Sequence, residues 1–240
     1  MGVIQYTDIN QELDALQKAI DNLSIEESFQ YITETYKDAV VFSTSFSYED
    51  QAILHMLRSL PVKVFTLDTG RLFKQTYSTW DATLQQYKVP IAAYYPNEEA
   101  LQKFISQNGP NSFYDSVDNR KQCCYLRKVE PLKRALHGNK IWITGLRAEH
   151  SPDRENLSKV EWDESNQIFK YHPLLHKTTE EVINYIKQNH VPYNPLHDKG
   201  FVSIGCEPCT RAIREGEDFR AGRWWWEDAS KKECGLHIHK

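Results

Sequence analysis

Apolar residues along the chain form two kinds of pattern that alternate with each other. Short continuous runs predict buried strands at residues 39–42, 62–67, 90–95 and 141–145. Between them, apolar residues recur at spacings of three and four, which is typical of amphipathic helices. The clearest of these stripes consists of Phe73, Tyr77, Trp80, Leu84 and Tyr87. Strands that alternate with helices predict an α/β fold built on a parallel sheet.

Weaker signals predict further helices on either side of this region. Two stripes, one near the N-terminus and one before Pro61, consist of Leu13, Leu16, Ile20 and Leu23, and of Ile53, Leu57 and Leu60. Thr178 and Glu181 form a capping box that opens a helix. Pro131 interrupts a stripe over residues 125–136, so it either kinks that helix or begins a new one.

The turns after three predicted strands are the first candidates for a binding site: residues 43–47, 68–71 and 145–147. Ligands of parallel α/β sheets bind beyond the carboxyl ends of the strands. After about residue 189 the helical periodicity fades, and histidine, proline and glycine become frequent. We therefore expect one domain, with N-terminal helices over residues 1–38, an α/β core over 39–215 and a mobile, loop-rich tail over 216–240.

The net charge, the first residues and the length of the apolar runs exclude several classes of protein. The chain of 240 residues has a net charge of −4, which supplies no overall positive field for collecting nucleic acid. The first residues lack the basic and apolar regions of a secretory signal, and no apolar run approaches the length of a membrane span. We expect a cytoplasmic protein without nucleic-acid or membrane partners, whose five cysteines stay reduced.

Four of the cysteines form two pairs, Cys123 with Cys124 and Cys206 with Cys209. A single zinc ion holds its sulfur ligands roughly 3.8 Å apart, which adjacent side chains fit poorly because they diverge. A 4Fe–4S cluster offers a separate iron to each thiolate. The pattern therefore favours such a cluster over zinc, while two buried cysteines beside an incidental CxxC remain the alternative.

The fifth cysteine, Cys234, lies near the C-terminus beside two lysines and His237. Positive neighbours favour the thiolate, which is the nucleophilic form. Upstream of it, Arg220 and Arg223 flank Gly222 and suit the oxygens of phosphate or sulfate. For Arg211 and Arg214 we expect pairing with the acids around them, and for most of the three tryptophans at 224–226 a docking role.

Several motifs, in order from about residue 39 to 237, resemble the assimilatory adenylyl-sulfate (APS) reductases, which belong with the phosphoadenylyl-sulfate (PAPS) reductases. They are SFSYED at 45–50, LDTGRL at 67–72, KQCCYLRK at 121–128, GLRAEHS from 145 running to Arg154, GCEPC at 205–209, RAGRWW at 220–225 and ECGLH at 233–237. The resemblance implies an adenine nucleotide α-hydrolase-like fold with helices on both faces of the sheet. The loop at 43–47 departs from the glycine-rich loop of ATP pyrophosphatases, because it contains no glycine.

The resemblance also implies a role for each matching position. Nucleotide-binding walls are implied for Ser45, Phe46, Ser47 and Leu67, with further nucleotide contacts at Gly145 and Arg154. A clamp on the phosphosulfate is implied for Lys128, Arg220, Arg223 and His237. The implied cluster ligands are Cys123, Cys124, Cys206 and Cys209, and the implied nucleophile is Cys234.

The implied activity is reduction of APS to sulfite and AMP through an S-sulfocysteine on Cys234, in sulfate assimilation and cysteine biosynthesis. Since the tail holds no second cysteine, the reductant is expected to be an external dithiol, thioredoxin by resemblance. Three alternatives remain: a dual APS/PAPS reductase, a metal-binding ATP pyrophosphatase such as a tRNA-thiolating enzyme, and a non-enzymatic nucleotide or iron sensor. The pyrophosphatase predicts a glycine-rich loop, which the sequence lacks, and a basic RNA-binding face, which the pI of about 6.1 disfavours. A homo-oligomer is possible.

Overall fold

A computed structural model describes residues 6–150 and 157–228, and its centre is a six-stranded sheet. The strands are β1 (Val40–Ser43), β2 (Lys63–Leu67), β3 (Ile91–Tyr94), β4 (Ile141–Ile143), β5 (Val160–Asp163) and β6 (Ile168–Tyr171). Their order across the sheet is β3-β2-β1-β4-β6-β5. All neighbours are parallel except β5 and β6, which are antiparallel. The four predicted strands are confirmed, and the sheet is parallel except at this one edge.

Eight α-helices accompany the sheet in the described residues. They are α1 (Tyr6–Asp21), α2 (Ile25–Tyr36), α3 (Tyr48–Leu57), α4 (Lys74–Tyr87), α5 (Glu98–Asn108), α6 (Val117–Cys124), α7 (Glu130–Leu136) and α8 (Thr179–Gln188). The capping box at the start of α8 is confirmed, since Thr178 and Glu181 bond each other's backbone. Within these residues, none of the helices has the length and hydropathy needed to cross a membrane.

Successive residues of the strands enter two separate cores, because side chains alternate across a sheet. Val40 and Phe42 pack in the core that α1, α2, α3 and α8 cover. Val41, between them, packs in the core that α7 covers through Leu132 and Leu136. Helices therefore lie on both faces, as expected, and this two-sided burial explains why the strands read as continuous apolar runs.

The edge hairpin of β5 and β6 was not predicted, because a charge interrupts its apolar pattern. Lys170 in β6 is almost completely buried, and its Nζ lies 2.8 Å from Asp163 Oδ2 in β5. Burial by itself raises the pKa of Asp163, but hydrogen bonds from Lys170 and Asn166 outweigh it and hold that pKa below its ordinary value. The carboxylate that compensates the charge of the buried lysine lies on the neighbouring strand. The pattern of apolar residues within β6 therefore does not reveal that the strand is buried.

The tandem cysteines end α6, and a π-helical turn, Tyr125–Val129, leads from them into α7. Pro131 lies in the first turn of α7, where its missing N–H costs no helical hydrogen bond. Of the two alternatives for Pro131, a kink or a new helix, the structure has α7 beginning one residue before it, and a π-helical turn joins α7 to α6.

The order of the strands places a crevice between β1 and β4. From β1 the chain proceeds outward through β2 to β3, and then returns to the other side of β1 as β4. Such a reversal is where doubly wound folds bind ligands, at the carboxyl ends of the strands. Residues 189–228 form turns, three isolated β-bridge positions and short 3₁₀ segments. The boundaries at residues 38 and 215 stay a prediction.

Candidate active site

A cavity of about 260 Å³ opens at the carboxyl ends of β1, β2 and β4. The turns after β1 and β4 and the end of β2 contribute Ser45, Phe46, Ser47, Leu67 and Gly145, whereas no residue of the turn at 68–71 lines this cavity. The opposite wall contains the bases Lys128, Arg220 and Arg223. The positions predicted for nucleotide binding and for the anion clamp thus line one cavity, insofar as they lie within the described residues.

The loop between β1 and α3 has an unusual backbone conformation. Phe46 has a φ of 62°, in the left-handed region that a bulky side chain rarely adopts. Its ring is buried and stacks on Trp80 with 5.6 Å between centroids, which compensates for the strain. Ser47 ends the loop as the N-cap of α3, where its hydroxyl accepts from the N–H of Asp50 at 3.3 Å.

Asp50 connects this loop to the turn after β4. Its Oδ2 accepts from the Ser45 N–H at 2.6 Å and from the Ser45 hydroxyl at 2.7 Å. A methyl group at Gly145 would lie 2.4 Å from Asp50 Oδ1, so the approach of the two turns requires glycine there. Burial raises the pKa of Asp50 to about 6, although the hydrogen bonds from Ser45 oppose the shift.

The clamp arginines are organised around Trp224, which is almost completely buried. The guanidinium carbons of Arg223 and Arg220 lie 4.8 and 5.9 Å from the centre of its ring. Arg223 also passes so close to Gly205 that a methyl group there would lie 2.3 Å from Nη2. Gly222 allows a close approach within the protein, because a methyl group there would lie 2.3 Å from the carbonyl oxygen of Arg211.

All four paired cysteines line a second, smaller cavity. Phe113 and Pro208 contribute apolar surface, and Arg71, Arg120, Arg127 and Lys128 contribute positive charge. The CxxC segment reaches this position through a backbone hydrogen bond of 2.8 Å from the Glu207 N–H to the Arg71 carbonyl. Lys128 lines both cavities, so it connects the thiols to the candidate anion clamp.

The four cysteines of this cavity do not form a site for a single metal ion in the part of the chain that the structure describes. In the described residues, no group of three or more histidine, cysteine, aspartate or glutamate side chains has the closeness needed for one metal ion. Burial raises the pKa of the Cys209 thiol to about 12, with a further increase from Cys206 that Arg223 and Lys128 oppose. Burial also raises the pKa of Cys123, against the positive charge of Arg127.

Arg211 and two of the three tryptophans follow the predictions made for them. Arg211 forms a bidentate pair with Glu217, at 2.7 and 2.9 Å, rather than facing the cavity. Trp224 is buried and Trp226 packs on Phe113 and Tyr114, which confirms docking for two of the three tryptophans.

Three predicted site residues, Arg154, Cys234 and His237, lie outside the described residues. Conversely, several residues of the site were not predicted: Asp50, Arg71, Arg127 and residues 202–205. Arg127 is buried beside the cysteines and donates to the Thr69 carbonyl at 2.5 Å, while its buried Nε has no hydrogen-bond partner among the residues that the structure describes. Their positions in the sequence could have indicated them, because the three residues lie within the motifs and residues 202–205 adjoin the GCEPC motif.

Comparison with known proteins identifies the family. The phosphoadenosine phosphosulfate reductase domain matches residues 39–212, which is most of the chain. The chain belongs to this family. The resemblance inferred from the motifs is therefore confirmed, together with the α/β nucleotide-binding fold that it implied.

Relatives within the reductase family match most of the chain. An adenosine 5'-phosphosulfate reductase of Allochromatium vinosum is 49% identical over 202 residues, covering 83% of this chain and 79% of the relative. One of Burkholderia cepacia is 44% identical over 240 residues, covering 99% and 94%. The crystal structure of a PAPS reductase from Candida auris, a phosphate complex, superposes with a TM-score of 0.73 at 28% identity, covering 89% and 99%.

Proposed function

We propose that this chain is an APS reductase, which converts APS to sulfite and AMP. The observation that carries the proposal is the composition of the larger cavity. One wall is formed by the strand-end turns at Ser45–Ser47 and Gly145, and the other by Lys128, Arg220 and Arg223. In a nucleotide that ends in a mixed phosphate–sulfate anhydride, the nucleoside is neutral and would lie against the first wall. The phosphosulfate is anionic and would lie against the bases of the second wall. The relatives at 44–49% identity are named for this activity.

In the proposed reaction, the Cys234 thiolate attacks the sulfur of APS. The new S–S bond forms as the bond from sulfur to the bridging oxygen breaks, and the bridging oxygen leaves with AMP. The bases Lys128, Arg220 and Arg223, with His237, would offset the charge on the sulfuryl oxygens and on the departing phosphate. The product on the enzyme is S-sulfocysteine.

A dithiol donor completes the cycle, and we propose thioredoxin for this role. One donor thiolate attacks Cys234 Sγ and expels sulfite, which leaves a mixed disulfide. The second donor thiol then attacks the donor's own sulfur and releases Cys234 as a thiol. The donor loses two electrons and sulfur gains two, so the reaction balances without another reductant. We place the reaction in the cytoplasm, in sulfate assimilation leading to cysteine.

The smaller cavity fits a 4Fe–4S cluster held by Cys123, Cys124, Cys206 and Cys209. Four thiols line it, together with an apolar wall and several cations. A cluster bound by four thiolates is anionic, and the buried Arg127 Nε beside it has an N–H to donate. The chemistry we assign to the group is electrostatic, because two-electron thiol chemistry already balances the reaction. Lys128 would carry its influence to the anion clamp.

PAPS is the alternative substrate, since the structural relative from Candida auris is a PAPS reductase. The deciding experiment measures sulfite formation from APS and from PAPS, with reduced thioredoxin and protein purified without oxygen. We expect APS to be the better substrate by kcat/KM. Equal rates would indicate a dual enzyme, and sulfite from neither substrate would refute the proposal.

Two cysteine variants separate the nucleophile from the cluster ligands. Cys234→Ser is expected to abolish sulfite release while iron and acid-labile sulfide stay at about four of each per chain. Cys209→Ser is expected to lower the iron and sulfide content. Retained turnover in Cys234→Ser would end the assignment of the nucleophile, and iron-free wild-type protein would end that of the cluster.

A further inference from the structure

Three consecutive backbone N–H groups of the loop between β1 and α3 bond to the protein rather than face the cavity. The Thr44 N–H donates to the Phe65 carbonyl at 2.8 Å. The Ser45 N–H donates to Asp50 at 2.6 Å, and the Phe46 N–H donates to the Thr44 hydroxyl at 3.1 Å. A loop binds phosphate through free N–H groups. These three consecutive donors are already used.

The start of α3 would otherwise compete for an anion. A helix N-terminus carries a partial positive charge and exposed N–H groups, and α3 begins at the edge of the cavity. Its first turn contains Glu49 and Asp50, both of which line the cavity. Glu49 forms an ion pair with Arg147 at 2.9 Å, whereas Asp50 accepts from the neutral donors of Ser45. Asp50 therefore places negative charge beside the helix terminus.

We infer that Asp50 is a specificity-determining residue, which closes the β1–α3 loop to phosphate and so directs the anionic end of a bound nucleotide toward Lys128, Arg220 and Arg223. The two bonds that Asp50 accepts from Ser45 hold the loop in its closed form. Like-charge repulsion excludes a phosphate from the helix terminus. The inference deepens the proposed function, because it rests on a nucleotide as the ligand of this cavity.

The surroundings of Asp50 make this carboxylate hard to displace. Only 7% of the residue is exposed, and the Cα of Gly145 packs directly against Oδ1. The raised pKa, about 6, still leaves the carboxyl mostly ionised at neutral pH. Unlike the buried pairs Lys170–Asp163 and Arg120–Glu227, Asp50 accepts its printed hydrogen bonds from neutral donors, and perturbed carboxyls of this kind cluster at functional sites.

A double-mutant cycle with inorganic pyrophosphate as the probe tests the inference. Binding is measured by calorimetry for the wild type, Arg220→Ala, Asp50→Asn and the double variant. In the wild-type background, pyrophosphate can use only the base cluster, so Arg220→Ala is expected to weaken binding about tenfold. In the Asp50→Asn background the loop offers a second site, and the same change is expected to weaken binding less than about threefold.

Asp14→Asn is the matched control, because it removes one negative charge from an exposed position of α1. This variant should retain the full effect of Arg220→Ala. An equal effect of Arg220→Ala in the wild-type and Asp50→Asn backgrounds would overturn the inference. If Asp50→Asn does not fold, the comparison of Arg220→Ala with the wild type still tests the inference. Unchanged pyrophosphate binding in Arg220→Ala would overturn it, because the loop would then already accept the anion. No step of the test uses APS turnover, so absent reductase activity would refute the proposed function and leave this result standing.

Discussion

Arg120 and Glu227 form a bidentate ion pair that is almost completely buried, although 107 positions separate them in the sequence. Nε and Nη2 of the arginine donate to the two carboxylate oxygens at 3.0 and 2.8 Å. Arg120 lies in α6 with the tandem cysteines, and its guanidinium also stacks over Trp224 at 4.8 Å. The pair thus joins the helix of the cysteine cavity to the segment that holds the clamp arginines.

Breaking this pair from one side is expected to destabilise the fold strongly. Glu227→Gln removes the carboxylate charge that faces this buried guanidinium, which typically costs about 3–5 kcal/mol. Urea unfolding measures the change. Glu217→Gln is the matched control, because it breaks another bidentate pair, with Arg211, that is partly exposed and should contribute much less to stability. Similar losses of unfolding free energy in the two variants would show that burial does not determine how much the Arg120–Glu227 pair contributes to stability.

Gly145 allows the turn after β4 to approach the loop after β1. Gly145→Ala would bring a methyl group within 2.4 Å of Asp50 Oδ1 and 3.0 Å of Glu49 Cβ. We expect about 1–3 kcal/mol of destabilisation from overpacking and about tenfold weaker AMP binding, measured by calorimetry. Gly138→Ala is the control, since no atom of the described residues would lie within 4 Å of its methyl group, and its φ of 78° costs about 1 kcal/mol without touching the cavity. Unchanged AMP affinity in Gly145→Ala would contradict the assigned close approach.

The sequence predicts those parts of the fold whose signals are local. Continuous apolar runs revealed β1 and β2 because those strands are buried on both faces. Helix α5 was missed because none of its residues is fully buried, and β6 because Lys170 is neutralised by Asp163 on another strand. Local patterns do not record partners that only the folded chain supplies.

The same distinction applies to the candidate site. Ser45, Leu67 and Gly145 follow or end neighbouring strands, so parallel topology alone brings them to one edge. The contact of Asp50 with Ser45 and Gly145 depends on the left-handed loop at Phe46, which no spacing in the sequence indicates. Residues 202–205 reach the cavity from a segment without regular periodicity, and are positioned by contacts such as that of Gly205 with Arg223.

The buried Asp50 carboxyl is expected to make stability depend on pH in the acidic range. Its pKa is raised from 3.8 to about 6 in the folded protein, so folded chains bind its proton more tightly than unfolded chains do. Stability contributed by this group is therefore complete below about pH 4 and is lost as pH rises to about 6, by up to about 3 kcal/mol. Asp50→Asn removes that loss. Urea unfolding of both proteins from pH 4 to 8 should show the variant gaining on the wild type as pH rises, whereas a pH-independent difference would contradict the raised pKa.

Lys128 is expected to matter more for turnover than for binding of the proposed cluster, because it lines both cavities without being a thiol ligand. Removing one cationic donor from a site where negative charge develops typically lowers kcat by about 100-fold or more. Lys128→Ala should therefore reduce sulfite formation from APS to this extent while iron and sulfide content stay unchanged. Lys121→Ala, at an exposed position of α6, removes the same charge away from the cavity and should retain full activity. Normal APS turnover in Lys128→Ala would show that the connection between the two cavities does not contribute to the reaction.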